Sequence, residues 1–185
     1  MEQEAVIREM KAKAEAVQSK VVEVRNMAEA FGYAVELTKN RGGGSVAAPG
    51  LDEDDRNALG KLCADRGLGL LTKDLRSHIG SIHTGFTMAE WGIAETATLV
   101  VPSSREDIRI ATMLSETHVA VLPRSRIRPD LESIREDLDG VLKSPPSYLA
   151  FISGASRTAD IERVLTIGVH GPQELHILIL EDSKP

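Results

Sequence analysis

The chain has 185 residues, of which 42% are hydrophobic and 27% charged, and its net charge is −6. This length supports one globular domain with its own core, and the aromatic content of 3% means that the core is aliphatic. An acidic chain without a cluster of lysines and arginines argues against a nucleic-acid-binding surface and equally against binding to an acidic membrane.

Cys63 is the single cysteine, which excludes an internal disulfide. It also excludes an ordinary iron–sulfur cluster held by this chain alone, because such a cluster takes four thiolates. We therefore expect no cofactor on this chain. The longest apolar runs are about six residues, far too short to span a membrane, and charged residues interrupt the first apolar positions. A cytoplasmic location without a membrane span is expected.

Residues 1–31 predict one long helix, because apolar residues recur three and four apart and Gly32 supplies a C-terminal cap. The apolar seam has two interpretations: packing on the chain's own domain, or contact with a partner, including a homo-oligomer through residues 1–31. The sequence thus divides into an N-terminal helical extension at 1–32 and an α/β domain at 33–185.

Strands and helices alternate after this segment. Short, nearly continuous apolar strands between helices are typical of an α/β fold, with an open, mostly parallel sheet and helices on both faces. Ser103 and Glu106 form the pattern of a capping box at one helix start. The predicted strands are 33–37, 45–48, 68–71, 96–101, 119–122, 148–152 and 175–180, and the predicted helices are 52–65, 103–114, 129–140 and 158–165.

The most informative local feature is the junction between the strand at 148–152 and the helix at 158–165. A strand, a tight turn and a helix start expose free backbone N–H groups, an arrangement that suits an anion. Gly154 permits close approach of a ligand to the backbone, and Arg157 can bind a carboxylate or phosphate. The alternative is an ordinary helix N-cap. The candidate ligand-binding residues here are Ser153, Gly154, Ser156, Arg157, Thr158 and Asp160.

Two further segments are expected to join this turn at the carboxyl edge of the sheet, where open α/β folds bind ligands. Glu95, beside the candidate ligand-binding residue Thr96, is a candidate general base or acyl acceptor, or else a structural carboxylate. His170, in the turn 168–172, is a candidate acid–base or anion-binding group, or else a turn residue bonded to the backbone. The spacing of the histidines does not indicate a metal site.

The amino-acid sequences of these segments resemble motifs of the LUD-domain family, the lactate utilization protein C group. The resembling runs are Ala94–Leu99, Ser153–Glu162 and Gly168–Pro172, and Ala97 stands where the family usually has glycine. The resemblance implies a fold like that of ribose-5-phosphate isomerases, CoA transferases and formyltetrahydrofolate cyclo-ligase.

The resemblance also implies an accessory role in oxidising lactate to pyruvate, alongside partner proteins that carry iron–sulfur clusters. In that interpretation the chain binds a small anionic molecule and is a non-redox component rather than a self-sufficient enzyme. The alternative is a stand-alone enzyme or binder of a phosphorylated, folate or acyl-CoA type molecule, an interpretation that rests on fold analogy alone.

Overall fold

The computed structural model describes residues 2–143, 147–158 and 166–182. Its α-helices are α1 (Glu2–Ala16), α2 (Met27–Asn40), α3 (Glu53–Asp65), α4 (Glu106–Met113) and α5 (Arg135–Leu142). Its strands are β1 (Lys20–Val24), β2 (Ser45–Ala47), β3 (Gly69–Leu71), β4 (Thr84–Met88), β5 (Trp91–Ile93), β6 (Thr98–Pro102), β7 (Thr117–Pro123), β8 (Ile127–Arg128), β9 (Leu149–Ile152), β10 (Arg157–Thr158), β11 (Thr166–Ile167) and β12 (Glu174–Leu180).

Six strands form the central sheet in the order β1-β12-β7-β4-β2-β3, and all their pairings are parallel. A parallel sheet is covered on both faces, so its strands are apolar along their length. Here α2 and α3 cover one face through Phe31 and Leu59, while α1 packs with Leu122 and Ile177 on the other. The predicted α/β class, with a mostly parallel sheet between helices, is confirmed.

A second sheet of four strands, in the order β8-β5-β6-β9, lies against the α1 side of the central sheet. Leu99 and Val101 of β6 share a core with Leu122 of β7. Its pairings β5–β6 and β6–β9 are antiparallel, and β9 stands at its edge. The sequence pattern located β6 and β9 but not their union in a separate sheet, because β5 and β8 have only three and two residues.

The single helix predicted over residues 1–31 is wrong, although an N-terminal helix is present. Helix α1 ends at Ala16, Gln18 takes a left-handed backbone with φ of 62°, and residues 20–24 form β1. The pattern misled because Val21 and Val24 continue the spacing of the helix while lying on a strand. These β-branched residues fit a strand better than a helix.

The apolar seam of the N-terminal segment packs on the chain's own core. Ile7, Met10 and Ala14 are buried against β12 and the second sheet, and β1 pairs with β12 over five residues. The division of the chain at residue 32 stays a prediction. In the structure, residues on both sides of it contribute to the same sheet and the same core.

Two further local predictions are wrong. Residues 33–37 lie in α2, not in a strand, because Asn26 caps that helix through the N–H of Glu29. The capping box at Ser103 does not form, since its hydroxyl donates to the carbonyl of Tyr148 at 3.2 Å. In the described ranges, no helix is both long and apolar enough to cross a bilayer.

Replacing Met10 with alanine tests whether α1 is integral to the fold. Met10 is 0% exposed, so Met10→Ala leaves a cavity and is expected to lower the free energy of unfolding by about 2–5 kcal/mol. The control Glu9→Ala, on the exposed side of the same helix, should change it by less than about 0.5 kcal/mol. Urea denaturation measures both. Equal midpoints for Met10→Ala and the parent would mean that α1 does not contribute to the core in solution.

Candidate functional site

Two turns that are distant in sequence meet in the structure. One is the turn after β9, at Ser153–Ser156, and the other is the turn before β12, at Gly168–Pro172. The N–H of Ser156 donates to the carbonyl of Pro172 at 2.9 Å, and the N–H of Gly168 donates to the carbonyl of Ser156 at 3.0 Å. The short ladder between β10 and β11 continues the contact. Backbone hydrogen bonds therefore hold the two turns together.

A cavity of about 360 Å³ opens between these turns, β9 and the end of α4, and we call it the loop cavity. Ser153, Ser156 and His170 are among its polar lining residues, as is Thr112, while Phe151 and Ile152 are among the apolar ones. A second cavity of about 460 Å³ adjoins it and shares Met113, His170 and Gly171. Hydroxyl and imidazole donors facing apolar side chains are suited to a small ligand that has one polar end.

A chain of hydroxyl groups links a third segment to this wall. The Thr96 hydroxyl lies 2.8 Å from that of Thr98, which lies 2.6 Å from that of Ser153. Thr96 is thus connected to the cavity through two hydrogen bonds, although it does not line it. The three segments singled out in the sequence converge through this chain and the paired turns.

Glu95 points elsewhere. Its N–H donates to the carbonyl of Pro129 at 3.0 Å, and its carboxylate accepts the N–H of Leu131 at 3.4 Å. The side chain is exposed and lines neither the loop cavity nor its neighbour. Of the two candidate catalytic residues, only His170 lies at the cavity, and the structure does not bring Glu95 to it.

Arg157 does not line the loop cavity. Its guanidinium donates to the carbonyl of Val17 and, at 3.2 Å, to the side-chain oxygen of Gln18. Gly154 approaches the same segment: with φ of 89°, it would place a Cβ 3.2 Å from Val17. In this arrangement both residues fasten the turn after β9 to the turn between α1 and β1.

The predicted helix at 158–165 does not begin at Thr158. Thr158 belongs to β10 and pairs with Thr166, so it is not a helix cap. Residues 159–165, which include Asp160, lie outside the described residues.

The location of the site corrects one expectation. The turn 168–172 leads into β12, and Ser115 and Glu116, which line the adjoining cavity, lead into β7. The cavities therefore lie at the amino ends of these parallel strands and not at the carboxyl edge. The expectation failed because it placed the turn from a generic rule, whereas β12 begins directly after Gln173.

Sequence reasoning missed the apolar wall of the loop cavity. Met113 ends α4 with half of its surface exposed, and Phe151 of β9 is 50% exposed. Large apolar side chains that stay exposed indicate a binding surface, but exposure is visible only once the fold is known. No local sequence signal marks these two residues.

The thiol of Cys63 does not fit a cluster ligand. The side chain is buried in the core between α3 and the sheet, and burial raises its pKa to about 11, so the thiol is protonated at neutral pH. Within the described part of the chain, no three histidine, cysteine or acidic side chains are placed to hold a metal ion.

Comparison with known proteins connects this fold and these motifs to a family. A family model described as the LUD domain matches residues 7–180. The lactate utilization protein C of Bacillus velezensis and that of Bacillus subtilis are each 35% identical to the chain over 105 residues, which cover 54% of this chain and 43% of the relative. An uncharacterized protein of Neisseria meningitidis is 35% identical over 100 residues, with the same coverage of 54% and 43%. The matched region is less than half the length of these relatives.

A solved structure supports the fold. The crystal structure of a DUF162 family protein from Deinococcus radiodurans superposes with a TM-score of 0.68 over 97% of this chain and 99% of that one. The sequence identity is 14%, so this likeness concerns the fold alone.

The turn that carries His170 depends on a glycine. Gly168 has φ of 78°, and an added Cβ would also lie 2.3 Å from the side chain of Gln173. Gly168→Ala is expected to lower the free energy of unfolding by about 1–2 kcal/mol. Gly140→Ala is the control, because nothing lies near that position in α5, and helix propensity should raise the stability by up to about 1 kcal/mol. Chemical denaturation measures both, and equal effects in the two variants would contradict the strained turn.

Proposed function

Because this chain belongs to the LUD-domain family, we propose that it acts in lactate utilization and binds a small anionic ligand in the loop cavity. The observation that carries the proposal is the convergence of the turns 153–156 and 168–172, which are joined by two backbone hydrogen bonds. Both turns lie in segments whose sequences resemble the family's motifs. The third such segment, which contains Thr96 and Thr98, is hydrogen-bonded to Ser153. A region shaped by all three family segments is the best candidate for the family's shared function.

The lining of the loop cavity supports a short carboxylate as ligand. Ser153, Ser156 and His170 can donate hydrogen bonds to carboxylate oxygens, while Phe151 and Ile152 can contact a methyl group. Lactate and pyruvate combine these two features. Arg157 stays a proposed anion ligand, but it would first have to leave the carbonyl of Val17.

The proposed role is that of a non-redox component. One buried, protonated thiol supports a division of labour in which iron–sulfur clusters and electron transfer belong to partner proteins. The names of the Bacillus relatives support the lactate system as the setting. A cytoplasmic location belongs to the same proposal.

Replacing His170 tests ligand binding at the loop cavity. We expect lactate or pyruvate to raise the thermal midpoint of the parent chain, because a ligand that binds only the folded state stabilises it. His170→Gln should weaken the ligand's affinity by about tenfold, the effect of losing about 1.4 kcal/mol of binding free energy. His78→Gln, at an exposed histidine in the turn Leu75–His78, is the matched control. Equal affinity in all three proteins would contradict a site at His170.

The partner proposal is tested by purifying the tagged full chain from its own host after growth on lactate. We expect co-purified proteins with the visible absorption of iron–sulfur clusters, absent from a tag-only control. A colourless, solitary protein would contradict the accessory role. If that solitary protein were stabilised by sugar phosphates, folates or acyl-CoA instead of lactate, the stand-alone alternative would replace the proposal.

A further inference from the structure

The central sheet has a second place where a ligand is expected, at the carboxyl ends of its strands. From β2 the chain moves outward to β3 through α3. From β4 it passes through β5 and β6 of the second sheet and then through α4 to β7, which lies on the other side of β4. The two helices cover opposite faces, since Leu59 of α3 and Ala111 of α4 pack in different cores. Such a reversal leaves a crevice at the carboxyl ends of the two strands, where open α/β sheets bind ligands.

A cavity of about 140 Å³ lies in this crevice, and we call it the edge cavity. Gly50 from the loop after β2 and Thr87 and Glu90 from the end of β4 line it, with Pro102 and Ile108 closing it on the α4 side. None of its residues lines the loop cavity. Since one water occupies about 30 Å³ of liquid, this volume is that of about five waters and suits a small molecule of similar size.

Two acidic side chains at or beside the edge cavity are already paired with other cations. Glu90 is paired with Arg126 at 3.2 Å, and Glu106 is paired with Arg76. Arg105, in contrast, has no ion-pair or hydrogen-bond partner for its side chain among residues 2–143, 147–158 and 166–182. An amino group of its guanidinium lies 3.6 Å from the place that a Cβ on Gly50 would occupy. An uncompensated positive charge therefore stands at the rim.

Thr87 is one of the residues that line the edge cavity, and its hydroxyl group contacts a buried histidine. Its oxygen lies 2.8 Å from Nε2 of His118, a side chain that is 1% exposed. Burial lowers the pKa of His118 to about 4, so the imidazole is neutral at pH 7. When Nε2 carries the proton of the neutral ring, His118 donates to Thr87, and the hydroxyl proton of Thr87 is left to donate to a ligand oxygen.

We propose that the edge cavity is a second ligand site, which binds a short carboxylate with a hydroxyl or keto group next to the acid. The carboxylate would lie against Arg105, the neighbouring oxygen would bond to Thr87, and the alkyl end would contact Pro102 and Ile108. The apolar side favours a carboxylate over inorganic phosphate, which has no group to place there. This site goes beyond the loop cavity, to which the proposed function refers.

Amide resonances of the full chain, followed by NMR during separate titrations with pyruvate, lactate and phosphate, test the proposal. We expect pyruvate or lactate to shift the resonances of Gly50 and Ala89, at the edge cavity. Arg105→Gln should weaken this binding by about tenfold. Arg56→Gln, at an exposed arginine of α3, should change it by less than about twofold.

Substitutions at Thr87 separate a ligand contact from a role in folding. Thr87→Ser keeps the hydroxyl and should bind within about twofold of the parent, while Thr87→Val removes it and should weaken binding by about fivefold or more. If the valine variant does not fold, the Arg105 comparison decides alone.

The same titrations distinguish failure of the edge-cavity proposal from failure of the proposed loop-cavity function. Carboxylate-induced shifts confined to His170 and Gly171 would overturn the edge site and leave the proposed function standing. Shifts at Gly50 that persist unchanged in Arg105→Gln, or that only phosphate produces, would also overturn it. Shifts at Gly50 without any at His170 would support the edge site and count against ligand binding in the loop cavity.

Discussion

The structure depends on the insertion of β12 between β1 and β7. Its side chains from Leu175 to Ile179 are buried, and backbone hydrogen bonds join it to parallel strands on both sides. Leaving the backbone groups of such a buried parallel strand without hydrogen bonds, or its apolar side chains exposed to water, would cost a large amount of free energy. The end of the chain thereby fixes the position of its beginning, because β1 has its place in the sheet only beside β12.

The same insertion creates the candidate site. Because β12 begins beside β7, the turn 168–172 is carried to the amino ends of these strands, next to the end of α4 and the edge strand β9. The turn after β9 is then within hydrogen-bonding distance, and Arg157 fastens it to the turn at Val17. The strand order therefore places the loop cavity at the amino ends of the parallel strands and the edge cavity at their carboxyl ends.

Several residues of the family-like motifs have structural roles that the motifs do not indicate. Ala97, a position where the resemblance to the family implies glycine, takes a left-handed backbone with φ of 50° and is 1% exposed. Glycine has no steric penalty in that conformation, which explains why it suits the position. Gly154 and Arg157 were predicted to contact a ligand, and in the structure both contact the turn between α1 and β1. Motif residues can therefore shape a site without lining it.

The sequence by itself determined the class of the fold and most of the strands and helices after residue 44. It also identified the two turns that line the candidate site and the segment that is hydrogen-bonded to one of them. These follow from local causes: apolar runs, helix caps such as Asp52, and turns that need glycine. Only the tertiary structure decided that residues 20–24 are a strand, that His170 approaches Ser153 while Glu95 does not, and which edge of the sheet holds the site. Those outcomes depend on which strands become neighbours, and strand pairing between residues more than 100 positions apart leaves no local trace in a single sequence.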